Sequence, residues 1–553
     1  MIPEHSMQLA AYQIARWLAQ QVSDAGYPAR SFYGEPFSLW LWQFFPGEFV
    51  EASQKLHPLA RQQLQRQDVA AHPEFNAYAL LRLCQQSGDS IQSWMPTLPR
   101  FNNTPNSNWL LLGTLVRLLW AEQTGENQPN WRLRWHTRLL LAMQQQADGL
   151  IRDDRLISRR LPVPFGYGRS APLRLQKMPH LQKLSLQYHC FSLLLLWEIW
   201  QRTGWPFVQT AVHRGYQAIG RFMLGNGDTL YIGRGQQQIF GYGSLLNLLA
   251  NLAASGNAEA GEQMAKVWSF VKQYQQEDGR FPLVLSDLDN GYTTKNTRPL
   301  GWYSYNNLFD YLPFLGVQLA QAAQTFSPEA PPEPSPQKTA IHATRQYALI
   351  HQPDWQMALA APGGALSQDQ PMPYLCLHGQ SLLPCFGGEA GDDEPYQLTM
   401  LPLPYLGLAN GHFIFLRQAM QWQFAPYQPQ QPILLRGRCA WGSLSRQVSW
   451  EANKIIIQDS LHLRPAKLPQ GISTLYPLVF TAFSLEWLAN GRYQIHPAPC
   501  PTYLTLTGQE GNLETIPAYT PVGPAQTVRE TMPFSLENDA YNRRYTINWA
   551  EDL

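Results

Sequence analysis

The strongest constraint on the fold is a repeat. One unit runs from Asn108-Trp109 through Trp120 to a stop at Thr124-Gly125, then a second helical pattern from about Trp131 to Gln146, closing in Asp148-Gly149-Leu150. The next runs from Gln187 through Trp197 and Trp200 to Thr203-Gly204, then from near Pro206 to Gly225, closing in Asn226-Gly227-Asp228. A third runs from Phe240 to Ser255-Gly256, then on to Gln276 and Asp278-Gly279-Arg280. Glycine suits both breaks, because helix ends and tight turns need left-handed backbone. Helix pairs recurring roughly every fifty residues, once one long insert is set aside, predict an α/α solenoid or a closed α/α toroid. In a toroid the inner helices and their loops line one cleft. Helical spacing also covers 6–22, 52–66 and 74–87, and a last helix is expected from near Tyr303 to Ala323.

A Pro-rich segment at 326–337 ends this pattern and reads as a linker. Beyond it the periodicity alternates. Arg345–Ile350, Trp355–Ala361, Phe413–Gln418, Val448–Ile457, Tyr493–His496 and Tyr545–Trp549 read as strands, with hairpin turns at Asn410-Gly411 and Asn490-Gly491. The fold class is therefore multidomain α and β. An N-terminal (α/α) toroid is expected over 1–325, a linker over 326–339 and an antiparallel β-sandwich over 340–553. A chain of 553 residues is in any case too long for one hydrophobic core.

Charged residues are only 15% with a formal net charge of +1, which argues against a nucleic-acid surface. The six cysteines show no CxxC or zinc-type spacing, and there is no phosphate loop or nucleotide fingerprint, so neither a metal nor a cofactor is expected. The apolar run Phe191–Trp200 is interrupted by Glu198 and is too short to span a bilayer. The N-terminus lacks a basic region followed by an apolar one. As written, the chain reads as cytoplasmic, or as periplasmic or secreted if a leader has been removed. The 19 Trp, 25 Tyr and 24 Phe either fill a large core or line a cleft with rings that stack on sugars.

Three short motifs follow one another along the repeat: Asn106-Ser107-Asn108-Trp109, Asp148-Gly149 and Gln187-Tyr188-His189. With an α/α repeat ahead of a β domain, they make the chain resemble the heparinase II/III-like and alginate-lyase-like polysaccharide lyases. The gap between Asp-Gly and Tyr-His is longer here, because an insert at 154–183 intervenes, and Trp109 stands where that family has a histidine. The resemblance implies metal-independent β-elimination on a uronic-acid-containing polysaccharide, so the expected partner is an anionic polysaccharide or oligosaccharide.

That chemistry removes the C5 proton beside a carboxylate and protonates the departing O4. Donors such as Asn108 and Arg234 would stabilise charge on the carboxylate. Tyr188 would serve as the acid/base, with His189 or Tyr242 as its partner. Gln187, Gln236 and Gln238 suit sugar hydroxyls, and Trp302, Tyr303 and Tyr305 form a candidate stacking wall. Arg169, with Arg159, Arg160 and Arg174 on the insert, could hold an anionic chain. From the β domain, His378 or His412 could reach the cleft. Each residue also has a plain structural reading: Tyr188 and His189 can cap and pack a helix, and Asn108 can be an N-cap. A glycoside hydrolase on the same toroid would instead need two carboxylates from among Asp148, Asp153, Asp154, Glu198, Asp228, Asp278 and Asp310. A non-catalytic glycan-binding protein would keep the aromatics without a convergent Tyr, His and Arg.

Overall fold

A computed structural model gives the fold. It describes residues 6–29, 31–65, 72–99, 101, 106–126, 130–153, 185–232, 237–285, 307–326, 339–361, 372, 374–383, 403–411, 413–508, 510–520, 523–535, 537 and 539–549. The helices are α1 (Met7–Gln21), α2 (Gly34–Trp42), α3 (Val50–Gln65), α4 (Pro73–Ser87), α5 (Ser107–Thr124), α6 (Asn130–Gln144), α7 (Leu186–Thr203), α8 (Pro206–Gly220), α9 (Ile239–Ala254), α10 (Ala258–Lys272) and α11 (Leu308–Thr325). Helices α2, α4, α5, α7, α9 and α11 pack side by side in that order, and α11 packs back on α2. The ring is closed, with α1, α3, α6, α8 and α10 outside it.

An inner helix of such a ring has no solvent-facing side. Every residue of 186–199, 239–250 and 308–320 is buried, which is why these stretches are apolar all round. Past the first turn, the charged and amide side chains along them have partners. Glu198 accepts from the Tyr78 hydroxyl at 2.6 Å and lies 3.4 Å from Arg202 and 3.8 Å from Arg82. Asn247 donates to Gln318 at 2.6 Å.

The outer layer is held by the three repeat turns. Gly149, Gly227 and Gly279 all have left-handed backbone, at φ 97°, 91° and 92°. Each turn is closed by an Asx side chain, Asp148, Asn226 or Asp278, accepting from the backbone N–H two residues on. Each glycine also lies against the next outer helix. A Cβ on Gly149 would sit 2.3 Å from the Arg214 carbonyl oxygen of α8, and one on Gly227 would sit 2.2 Å from the Lys266 carbonyl oxygen of α10. One on Gly279 would meet Gln13 of α1 at 2.7 Å. The same device thus steps around the ring.

The β region holds three antiparallel sheets. The first has five strands: β1 (Ala340–Ala343), β2 (Tyr347–His351), β3 (Trp355–Ala360), β4 (Tyr374–Leu377) and β5 (Gln380–Ser381). The second has eight strands: β8 (Gln421–Phe424), β9 (Ile433–Cys439), β10 (Gly442–Glu451), β11 (Lys454–Leu463), β14 (Ser484–Ala489), β15 (Arg492–His496), β16 (Thr502–Thr507) and β19 (Ala540–Trp549). The third holds β6 (Tyr405–Leu408), β7 (Phe413–Phe415), β12 (Ile472–Tyr476), β13 (Val479–Ala482) and β18 (Gly523–Pro533), with β17 (Asn512–Thr520) paired to β18. Strands β2, β3 and β4 of the five-stranded sheet are buried on both faces. Alternate residues Ala348, Ile350, Trp355, Met357, Leu359, Leu375 and Leu377 pack on the eight-stranded sheet. The intervening Tyr347, Leu349, Ala358, Tyr374 and Cys376 join the helical core. The segment Val448–Ile457, read from sequence as one strand, is a hairpin: Glu451 pairs with Lys454 across a two-residue turn. Both strands send their apolar residues to the same core, which produced the unbroken pattern. Phe413–Gln418 is likewise shorter than expected, a three-residue strand followed by a helical turn at Leu416–Ala419.

Two glycines with similar backbone separate the packing role from the conformational one. Gly256 has φ 97° but open space around it. Gly256→Ala should therefore cost about 1–2 kcal/mol, a few degrees of melting temperature. Gly227→Ala must also displace α10, and should lower the melting temperature by roughly 10 °C or more. Equal shifts in thermal melts would refute the docking role of these turns.

Candidate active site

The N-terminal turns of the inner helices meet at one end of the ring. Asp310, in the first turn of α11, accepts from the backbone N–H groups of Phe32 and Tyr33, both at 2.8 Å, just before α2. Tyr33 stacks on Phe75 of α4 at 4.6 Å, and Phe75 meets Trp109 of α5 at 5.3 Å and Phe191 of α7 at 5.5 Å. Phe240, opening α9, lies 6.2 Å from Tyr188 of α7 and 5.1 Å from Tyr311 of α11. These rings floor a mouth rimmed by helix starts. The helix entries at Tyr33, His72, Asn106 and Gln238 make no side-chain cap hydrogen bond. First-turn N–H groups and helix dipoles therefore give this end a positive potential. The five-stranded sheet packs beside it: Tyr347 donates to Asp148 at 3.2 Å, Gln356 accepts from Gly225 N–H at 3.3 Å, and Tyr374 packs on Tyr231 at 4.7 Å.

Tyr188 and Asn108 occupy the first turns of the neighbouring helices α7 and α5. Tyr188 is 7% exposed, and Asn108 uses Oδ1 to accept from the Trp109 N–H at 2.8 Å. The segment 150–153 runs between these two helix starts. Its Arg152 carbonyl accepts from Ser107 at 2.6 Å, and its Ile151 N–H donates to the His189 ring at 3.0 Å.

His189 and Tyr242 do not face the mouth as free acid/base groups. His189 is fully buried; Nδ1 accepts from Ile151, and Nε2 donates to the Gly215 carbonyl at 3.1 Å. Burial lowers its pKa to about 4, so it is a neutral tie between α7, the 150–153 segment and α8. Tyr242 is fully buried and donates to Asp228 at 2.7 Å. Burial, with the Asp228 carboxylate beside it, holds its pKa well above the usual tyrosine value.

Gln187 and Gln238 are each 1% exposed, and neither amide atom of either has a hydrogen-bond partner among the described residues. A buried amide left this way costs about 1–3 kcal/mol per group. Arg234, Gln236, Trp302, Tyr303, Tyr305 and Arg169, with the rest of the 154–183 insert and His412, lie outside the described residues. His378 is exposed in the tight turn between β4 and β5.

Two residues at the mouth were not singled out from sequence. Arg152 has buried Nε and Nη1 atoms without a hydrogen-bond partner among the described residues. Its position, three residues beyond Gly149, falls just past the repeat turn. His72 enters α4 with φ 44°, a left-handed backbone unusual for a non-glycine residue and a mark of functional sites. Its ring lies 5.1 Å from both Trp109 and Phe32 and 5.8 Å from Tyr33. No periodicity signals such a residue.

Most carboxylates considered for a hydrolase have structural partners. Asp228 is held by Tyr242 and Gln237, Asp148 by Tyr347, Asp278 by Arg280 at 3.0 Å, and Glu198 by its arginines. Asp310 is held by backbone N–H groups, although burial pushes its pKa up to about 8; burial lifts Asp228 to about 6.

No family profile and no curated protein matches this sequence. Solved structures do resemble it. A xanthan lyase from Paenibacillus aligns over 99% of this chain and 57% of its own, at 10% identity and a TM-score of 0.51. A glycosyl hydrolase family 88 protein from Bacteroides vulgatus aligns over 57% of this chain and 98% of its own, at 11% identity and a TM-score of 0.37. A GH76 α-mannanase from Bacteroides thetaiotaomicron aligns over 58% and 97%, at 11% identity and 0.38. The whole-chain likeness establishes the class: an α/α toroid followed by antiparallel β-sheets.

The raised carboxyls have a signed consequence. A folded state that holds protons more tightly than the unfolded chain loses stability as pH rises from the ordinary aspartate value of 3.8 towards about 8. Asp310→Asn keeps an acceptor for the two backbone N–H groups and cannot ionise. Its melting temperature should fall less than the wild type's across that window; equal slopes would contradict the assignment. Gln187→Met should leave the melting temperature unchanged or raised, because it removes unmatched polar atoms.

Proposed function

We propose that this protein is a polysaccharide lyase that cleaves a uronic-acid-containing polysaccharide by metal-independent β-elimination. The observation that carries the reading is that Tyr188 and Asn108 stand at two adjacent inner-helix starts and that the backbone of Arg152 meets one of them, its guanidinium having N–H groups without a partner among the described residues. A guanidinium in that condition calls for an anion, and a carboxylate matches its fork geometry. The convergent helix N-termini add to the same preference.

In this reading Arg152 and Asn108 neutralise the uronate carboxylate, which acidifies the C5 proton, and Arg234 adds to them. Tyr188 removes that proton and returns one to O4 as the O4–C4 bond breaks and the C4–C5 double bond forms. With His189 and Tyr242 tied into the core, Tyr188 carries both transfers, and His72 is a second acceptor at the same mouth. Gln187 and Gln238 supply hydrogen bonds to sugar hydroxyls, and Trp109 supplies a stacking face. The fold likeness to a xanthan lyase, over 99% of this chain and 57% of the other, is consistent with this. A hydrolase would instead draw on Glu74 and Asp153, two buried carboxyls near these helix starts.

Incubation with several uronate polymers, followed by ultraviolet absorbance of the unsaturated product, tests the reading. New reducing ends without that absorbance would replace it with hydrolysis. Tyr188→Phe should lower activity by at least 10³-fold at an unchanged melting temperature, given the usual 10²–10⁴-fold worth of a general acid or base used twice. Tyr242→Phe should do the reverse, keeping activity per folded molecule while losing about 1–3 kcal/mol of stability, because Asp228 loses a donor. Arg152→Gln should lower kcat more than it raises KM, because the guanidinium stabilises the charge that builds on the carboxylate as the C5 proton leaves. An active Tyr188→Phe protein would remove Tyr188 from the mechanism.

A further inference from the structure

The outer helix α6 carries an apolar stripe that the fold does not use. Trp131 is 67% exposed, Trp135 57%, Leu139 40% and Met143 41%. They recur every four residues, so they lie along one side of the helix. The buried residues are Leu133, Thr137, Leu140, Leu141 and Gln144. At 100° per residue the exposed stripe centres nearly opposite them, so it points away from the body of the protein. Its length, twelve residues at 1.5 Å each, is about 18 Å.

The charge around the stripe has one sign. Arg132, Arg134 and Arg138 are all exposed, Arg132 lies over the Trp131 ring at 5.2 Å, and no acidic residue occurs from Asn130 to Ala147. The whole chain has a net charge of only +1, so three uncompensated arginines on one helix are a local concentration. An apolar stripe with tryptophans at one end and arginines flanking it is the pattern of a helix lying in a bilayer interface. Leu139 and Met143 decide between lipid and glycan, since aliphatic side chains add nothing to sugar stacking yet extend an acyl-facing surface. No helix among the described residues is long and apolar enough to cross a membrane, so contact of this kind would be peripheral.

We propose that α6 docks the protein on an anionic phospholipid surface, with Trp131, Trp135, Leu139 and Met143 entering the interface and Arg132, Arg134 and Arg138 pairing with lipid phosphates. This stands apart from the active-site reading, because none of these residues lies at the mouth. Flotation of the whole protein with phosphatidylcholine vesicles, with and without phosphatidylglycerol, tests it. The protein should float only with the anionic vesicles and be released by salt. Replacing both tryptophans by alanine should abolish flotation at an unchanged melting temperature. The triple variant Arg132→Gln, Arg134→Gln, Arg138→Gln should weaken it roughly 100-fold, at about fivefold per arginine near such a surface. No flotation of the wild type, or flotation unaffected by either variant, would overturn the proposal. So would loss of self-association or of uronate-polymer binding, rather than of flotation, in the tryptophan variant.

Discussion

A helix enclosed in a ring of helices can keep polar groups only where they are paired or at its ends. That constraint organises this protein. Along α7, α9 and α11 the polar residues past the first turn are tied to partners, Glu198 to Tyr78 and its arginines, Asn247 to Gln318. At the helix starts the rule relaxes, because backbone N–H groups are already without intrahelical partners there. Chemistry is thereby confined to one end of the ring. The outer layer, stepped by Gly149, Gly227 and Gly279, returns the chain to the same end of the ring after each outer helix, so that the inner-helix starts coincide.

The β region bears on the same end. The five-stranded sheet buries one face in the helical core through Tyr347, Leu349 and Tyr374, and the other on the eight-stranded sheet. The mouth is therefore set between the ring and a sheet that is itself fixed from behind. A row of alternating charge crosses three strands of the larger sheet and reaches the third sheet: Arg446 pairs with Asp459 at 2.6 Å, Asp459 stands opposite Arg543 in register, and Arg543 meets Glu530 of β18 at 2.5 Å. All four are buried, and each pair satisfies the other, which lets charge persist between two apolar clusters.

Much of this was legible in the sequence. Helix pairs closed by a Gly turn are local signals, and Asn490-Gly491, at φ 49° and 71°, makes the two-residue hairpin that its residue types favour. The placement of Tyr188 and Asn108 on neighbouring helix starts follows from the repeat alone. What failed was side-chain direction. His189 follows Tyr188, but adjacent helix positions diverge by about 100°, and His189 turns to the outer helix and bonds Gly215. Tyr242, expected as a partner of Tyr188, turns into the core and bonds Asp228, while Gly241 and Gly243 let α9 press against Gln187 and Gln318. Arg152 and His72 were missed because their significance is three-dimensional. One is marked by guanidinium atoms without partners, the other by a left-handed backbone among aromatic rings.

The central claim is that the convergent helix starts form a site for a uronate. A crystal structure of the Tyr188→Phe protein with a bound oligouronate examines it most directly. The account predicts a sugar carboxylate within hydrogen-bond distance of Arg152 and Asn108, with C5 facing position 188 and a ring against Trp109. An oligouronate seated away from this mouth, or one whose carboxylate faces Glu74 and Asp153 instead, would contradict it.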